Sequence, residues 1–556
     1  MRYWVLCCLL TLLTLVSNAQ SLVQQPGAKP PCFTGQLLHY DTASDGVPTL
    51  KWVLVTPSPQ GQAEYFGTVE ADGSFHVRLP HALRRQQIWF TLGDYYYGQL
   101  MLSDSLHIAI DLDGLRAKQG YFHSDYVQFS GPDAELTDYL NAYTDFRRSH
   151  PQNNNGEVRI LMDRKMSRAD KWKALQPDYA VKRKILAAFA KKHPSPYAAL
   201  LKQQLQSTYY SRYLMLLSKT ATTSDSTLQV ALAHRPRTIS NSAILDYYRS
   251  AASYYQHLPP ARRLQVYREK LLPKLTDAQW SNKLEQLIDW QQQLLRGASV
   301  ADSLVEPLRA EIEEQFADEI WEASISYMIE QLREVPAEQA DLIKLSGGGT
   351  DLWRRERYVE RVLPTVRHEV LAGILRSRWE KEQKQLLAAR ERLSSIEISS
   401  ATTRLGQQVG RFDNGAELIL AEGDSIEPFL ASLRASVDEK PLLLDIWATW
   451  CKPCLIDMEE ATDNIQALRE KGVEVVYLCS SNGSTPEQWQ QRLAEFELPT
   501  KHIFLNDTLS EQVMRYFNLR GYPSHIFIDG NGKALTNRFH SVGRIDLPDV
   551  DKLLRK

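Results

Sequence analysis

Residues 441–447 read PLLLDIW, apolar at every position but Asp445, and two cysteines follow at 451 and 454. An unbroken apolar run of this length suits a strand covered on both faces, not the half-solvated strand of an alternating pattern. Downstream, VEVVYLC (473–479), KHIFL (501–505) and HIFID (525–529) alternate with the helix-like stretches PEQWQQRLAEF (486–496) and SEQVMRYF (510–517). That order predicts an α/β domain over residues 401–556, with the cysteines where a central strand meets the N-terminus of the next helix.

Position sets the chemistry expected there. Free N–H groups and the positive end of a helix dipole stabilise a thiolate at Cys451, and the Lys452 ammonium beside it adds to that. Pro453 is tolerated in a first helical turn and holds Cys454 close enough to resolve a mixed disulfide. Besides Cys7 and Cys8 near the N-terminus, the chain has only Cys32 and Cys479, too few and too scattered for a disulfide-stapled scaffold. A zinc site would need two more ligands, and although His502, His525 and His540 are present, no second Cys-x-x-Cys or paired-histidine spacing accompanies the pair. Cys32, Cys479 and His525 read as packing residues.

The other 400 residues divide by pattern. A chain of 556 residues exceeds one core, so the expectation is a multidomain protein. Residues 1–19 combine Arg2, an apolar stretch from Tyr3 to Val16 and the small residues Ser17 and Ala19, which reads as a secretory signal peptide cut before Gln20. Export to the periplasm or cell envelope follows, with membrane association only if the segment is uncleaved. Residues 20–31 are a polar, proline-containing linker. Short alternating runs such as AEYFGTVE, SFHVRL and SLHIAIDL predict antiparallel strands and a β-sandwich over 32–130. Glycine is then absent between Gly156 and Gly297, and apolar residues recur at helical spacing, so 131–400 is expected to be an all-α domain. The stretch from Ser303 to Val335 reads as one long amphipathic helix, and a soft hinge is placed near 398–405. With 65 Lys and Arg against 67 Asp and Glu, the charge gives no reason to expect nucleic acid as a partner.

The segment DIWATWCKPC, residues 445–454, resembles the active-site segment of the thioredoxin superfamily, with Trp447, Ala448, Trp450 and the Cys-x-Pro-Cys core in matching places. The resemblance implies that Asp445, six residues before Cys451, is a buried acid that relays protons to the resolving cysteine. It also implies that Pro523, in LRGYPSHIFID, has a cis peptide bond and faces the disulfide. The extra helix and strand between Cys454 and Pro523 are those expected of TlpA-like and ResA-like envelope reductases. One position departs: five residues after Cys454 the family has a helix-kinking proline, and this chain has Glu459. The implied function is an exported thiol-disulfide oxidoreductase acting on protein disulfides and thiols, fed by a membrane electron donor. No cofactor is implied beyond the redox-active Cys451–Cys454 disulfide. Two other functions compete with it: an envelope binding or scaffold protein whose N-terminal modules recruit partners to a tethered redox domain, and a thiol peroxidase. The peroxidase pattern Pro-x-x-x-Thr-x-x-Cys fails, because Thr449 is two residues before Cys451 and Asp445 stands in the place of the proline.

Overall fold

The computed structural model describes residues 29–554 apart from 43–47, 60, 84, 154–155, 164, 218–224, 235, 237–240, 297–300, 350, 537–538, 540 and 546. The expected signal peptide and most of the linker therefore lie outside the described residues. Two compact units emerge, residues 1–378 and 379–556, and the division falls within a long helix, Glu369–Ser394.

The first unit opens with strands β1 (Cys32–Leu38), β2 (Leu50–Val55), β3 (Gln62–Gly67), β4 (Ser74–Arg78), β5 (Gln86–Leu92), β6 (Tyr96–Leu102), β7 (Ser105–Asp111), β8 (Gly120–Tyr121) and β9 (Val127–Ser130). Among the described residues they form a sheet of order β4-β1-β7-β9 and another of order β3-β2-β5-β6-β8. Alternating residues of both sheets, Phe33, Leu37, Trp52, Leu54, Phe75, Ile88, Phe90 and Ile108 among them, share one apolar core. The expected antiparallel pairing is corrected at two places: β1 pairs with β7, and β6 with β8, in parallel. The chain between β1 and β7 holds five strands, ample length for the crossover that parallel neighbours require.

Helices follow: α1 (Ala134–Ser149), α2 (Arg168–Lys192), α3 (Ala198–Leu217), α4 (Ser242–Gln256), α5 (Asp302–Gln315), α6 (Ala317–Gln331) and α7 (Glu369–Ser394) are the longer ones besides Ala278–Leu295. The strands and α1 are joined by buried polar contacts: Gln99 N–H donates to Asn141 Oδ1 at 3.1 Å, and Met101 N–H to Thr137 Oγ1 at 3.1 Å. The single long helix expected from Ser303 onward is broken at Phe316, which leaves helical geometry at φ −114° and ψ 32°. Its ring packs edge-on against Trp280 in the local core, so a tertiary contact overrides the helical periodicity.

The second unit carries β10 (Thr402–Thr403), β11 (Gly406–Arg411), β12 (Glu417–Ala421), α8 (Ile426–Ala435), β13 (Leu442–Trp447), α9 (Lys452–Glu459), α10 (Thr462–Glu470), β14 (Glu474–Cys479), α11 (Pro486–Ala494), β15 (Lys501–Phe504), α12 (Asp507–Tyr516), β16 (Ser524–Ile528) and β17 (Ala534–Thr536). The sheet order is β10-β11-β12-β15-β14-β13-β16-β17. β13 lies inside it, parallel to β14 and antiparallel to β16, and all six of its residues are buried. Alternation sends Leu442, Leu444 and Ile446 to one face, where Phe429 and Leu433 of α8 and Leu509 and Val513 of α12 complete the core. It sends Leu443, Asp445 and Trp447 to the other.

Leu444 is wholly buried in that core, so Leu444→Ala is expected to destabilise the second unit by about 2–5 kcal/mol. The check is the denaturant midpoint at which buried Cys479 becomes reactive to a thiol reagent in the full-length oxidised protein, with exposed Leu387→Ala as the control that leaves it unmoved.

Candidate active site

The strand-to-helix turn after β13 is built by hydrogen bonds that a helix start requires. Cys451 N-caps α9: its N–H donates to the Ala448 carbonyl at 2.9 Å, and its sulfur accepts from the Cys454 N–H at 3.3 Å. A cap position of this kind satisfies a helix N–H that would otherwise lack a partner. Cys451 and Cys454 form a disulfide with Cα atoms 5.3 Å apart, Cys451 at 3% exposure and Cys454 at 0%. Lys452 is half-buried in the first turn, and Pro453 occupies that turn exposed.

The loop after β14 holds this turn in place. Thr449 donates through its N–H and hydroxyl to Ser484 Oγ at 3.1 and 3.0 Å, and the Trp450 indole donates to the Asn482 carbonyl at 2.7 Å. Gly483, at φ +68°, permits that approach, since a Cβ there would lie 2.9 Å from Trp450 Nε1. Trp450 remains 56% exposed and meets Tyr522 edge-on at 5.7 Å, which brings the loop ahead of β16 to the redox pair. The Tyr522–Pro523 peptide bond is cis. Trp447 is wholly buried at the end of β13.

A polar row runs across the sheet through β13. Strand register places Tyr477 of β14 and His525 of β16 on either side of Asp445, and His502 of β15 beyond Tyr477. His525 Nε2 lies 3.4 Å from Asp445 Oδ2, an ion-pair contact outside hydrogen-bond geometry, and 3.2 Å from Asp457 Oδ2. Asp445 is wholly buried, and neither of its oxygens accepts a hydrogen bond. Burial raises its pKa, and the His525 charge opposes that rise without cancelling it. Burial works to lower the His525 pKa, but the two carboxylates outweigh it and raise the ring to about 10. Asp457 goes the other way: burial would raise it, yet hydrogen bonds from His525, Ser541 and the N–H groups of Val542 and Gly543 hold it below the usual carboxylate value.

The sequence reading passed over Asp457 and took His525 for a packing residue, whereas its ring lies between two carboxylates. Asp457 stands three residues after Cys454, a spacing that puts both on one helix face, so that signal was available. His525 meets Asp445 only through antiparallel register, which no local pattern carries. Asp445, Asp457 and His525 offer a donor set that could hold a divalent cation, but each Asp457 oxygen already accepts two hydrogen bonds, so that carboxylate is satisfied within the chain. His502 is pushed down to about 4 by burial and bonds through Nε2 to the Leu498 carbonyl. Burial raises the Cys479 thiol, leaving it an unreactive core residue.

Glu459, at the position of the family's proline, does not continue the helix. α9 ends there, Glu460 leaves helical geometry at φ −103° and ψ 0°, and α10 begins at Thr462. The loop 541–544 is set against the break: Gly543 N–H donates to Asp457 Oδ1 at 2.8 Å, and Arg544 pairs with Glu460 at 2.6 and 2.9 Å. A Cβ at Gly543 would meet the Asp457 carbonyl at 2.6 Å, so only glycine fits this approach.

His525 is protonated in the native state well above its ordinary 6.5, so between about 6.5 and 10 the folded protein keeps on this ring a proton that the unfolded chain gives up. Its stabilisation is complete below about pH 6.5 and declines as pH rises, by roughly 1.4 kcal/mol per unit. Unfolding midpoints of the oxidised protein across that window are expected to fall more steeply for wild type than for His525→Gln, which has no such proton to lose.

Residues 427–554 match the redoxin family. The thiol:disulfide interchange protein HelX of Rhodobacter capsulatus is 29% identical over 99 residues, 18% of this chain and 52% of HelX. The thiol-disulfide oxidoreductase ResA of Oceanobacillus iheyensis is 30% identical over 101 residues, 18% of this chain and 49% of ResA. The thiol:disulfide interchange protein DsbE of Tatumella citrea is 47% identical over 49 residues, 9% of this chain and 24% of DsbE. The chain thus spans about half the length of HelX and ResA. The cysteine pair starts α9 at the end of β13, in a mixed sheet whose inner strands β12, β15, β14 and β13 run parallel, and residues 427–554 form a redoxin domain similar to those of the TlpA/ResA-like thiol-disulfide oxidoreductases.

Proposed function

We propose that the protein is a thiol-disulfide oxidoreductase that reduces disulfides of exported proteins. One observation carries this: Cys451 caps α9 and its sulfur accepts the Cys454 N–H, so a negative charge on that sulfur meets a donor and the helix dipole as it forms. The Cys451 thiolate attacks a substrate disulfide, one substrate sulfur leaves as a thiolate, and a mixed disulfide results. Cys454 then gives up its proton to Asp445 and attacks the Cys451 sulfur, releasing the second substrate sulfur. Two electrons pass to the substrate, and the Cys451–Cys454 disulfide is formed. The exposed Trp450 beside Tyr522, with Pro523 next in the chain, offers the apolar surface on which an extended substrate segment would lie. Renewed reduction of the pair calls for a thiol donor, which for an exported protein is a membrane electron donor. The apolar stretch from Tyr3 to Val16 supports a periplasmic or envelope location. Among the described residues no helix is long and apolar enough to cross a membrane.

A second reading makes residues 32–400 a recruiting module, with the two sheets of 32–130 as a β-sandwich. A cleft of about 610 Å³ between α2 and α3, lined by Tyr179, Arg183, Lys202 and Tyr210 with several alanines, favours it. The trapping variant Cys454→Ser checks the first reading: it is expected to accumulate mixed disulfides through Cys451 in envelope extracts, while Cys451→Ser accumulates none. Equal capture by a protein with both cysteines changed to serine would favour the recruiting module, and no capture by Cys454→Ser would refute the redox reading.

A further inference from the structure

Asp445 is an unfavourable proton acceptor as it stands. A carboxylate wholly buried and without a hydrogen-bond donor keeps its proton, because low-dielectric surroundings penalise the charged form. A permanently protonated Asp445 could not take the proton that Cys454 loses. Among the described residues, the titratable groups shown against it are Tyr477 from β14, His525 from β16, and Asp457 from α9. The Tyr477 hydroxyl has no hydrogen-bond partner, and the ring stacks on His502 at 5.3 Å, so tyrosine supplies no charge. Asp457 is a like charge and makes ionisation of Asp445 harder. His525 is the only cation among them. Its side chain is 2% exposed, and its Nε2 sits between the carboxylates, 3.4 Å from one and 3.2 Å from the other.

The ring is itself fixed by the active-site helix. Asp457 takes hydrogen bonds from Ser541, Val542 and Gly543 as well as from His525, so its charge is secured by donors outside the redox pair. That charge holds the imidazolium in place, and the imidazolium faces Asp445. Asp457 and Cys454 lie three residues apart on one face of α9, so the carboxylate that anchors His525 is carried by the helix that carries the resolving cysteine.

We propose that His525 is a positioning residue for the redox pair: clamped by Asp457, its ring lets Asp445 exist as a carboxylate and so take the proton that Cys454 loses as it resolves a mixed disulfide. The proton moves from the Cys454 sulfur to an Asp445 oxygen, Cys454 and Cys451 form their bond, and the departing substrate thiolate is finally protonated from Asp445 or solvent. His525 gives up no proton in the cycle. This rests on the thiol-disulfide exchange proposed above.

The test is the pH profile of disulfide reduction by the full-length protein, using insulin as substrate and dithiothreitol as donor, in wild type and His525→Gln. Glutamine keeps an amide donor in the place of Nε2 and removes the charge. The acid limb of kcat is expected to move up by at least about one pH unit, a loss of tenfold or more near pH 6, with rates near pH 9 within about twofold of wild type. An acid limb in the same place for both proteins would overturn the inference while leaving the oxidoreductase reading intact. No insulin reduction by wild type would remove that reading and the inference with it. Ring ¹⁵N NMR of wild-type His525 gives a measurement that no variant's folding can spoil: a charged ring through about pH 8 is expected, and a neutral ring at pH 7 would overturn the proposal.

Discussion

Burial of β13 on both faces is the constraint from which the rest of the second unit follows. A strand with no solvated side has to sit inside a sheet, so β14 and β16 flank it and helices cover it above and below. Its chain exit then lies at the sheet's edge of chemistry, where the next helix begins with unsatisfied N–H groups and where Cys451 supplies a sulfur to one of them. The serine- and glycine-containing loop after β14 fixes that exit through Thr449 and Trp450. A nucleophile placed by a strand end and a helix start needs few other residues to define it.

The same burial carries an electrostatic cost. Asp445 is carried into the interior by strand alternation, and a buried ion is tolerated only when other groups balance it. His525 does so in part, and Asp457 completes the arrangement with donors drawn from the loop 541–543. That loop also closes against the break between α9 and α10. One segment therefore stabilises both the buried charges and the bend that a proline supplies elsewhere in the family. A substitution at Gly543 would disturb both, because the Asp457 backbone and side chain approach it together.

What could be read from the sequence was whatever short-range pattern encodes. The unbroken run ending at Trp447, the strand and helix alternation after it and the cysteine spacing all act within a few residues, and the structure has β13, α9, β14, α11, β15, α12 and β16 in that order. The cis bond at Pro523 was implied by resemblance to a family loop and is present. Long-range register was not legible. Alternating runs look alike in parallel and antiparallel sheets, so the β1–β7 pairing could not be foreseen, and nor could the meeting of His525 with Asp445. The break at Phe316 has no local signature, because helical periodicity runs through it and the packing of its ring on Trp280 is a tertiary contact. Asp457 was readable from its spacing to Cys454, but an acidic residue on a helix is ordinarily solvated, and its burial depends on the distant loop 541–543.

The reduction potential of the Cys451–Cys454 pair tests the central claim most directly. The full-length protein would be equilibrated against glutathione or dithiothreitol buffers, quenched, and the two thiols counted by mass spectrometry. A reversible two-electron couple toward about −270 mV is the result expected of a disulfide reductase. A couple near −120 mV would make the pair an oxidant and reverse the direction of electron flow, and a pair that stays oxidised in every buffer would contradict redox cycling altogether.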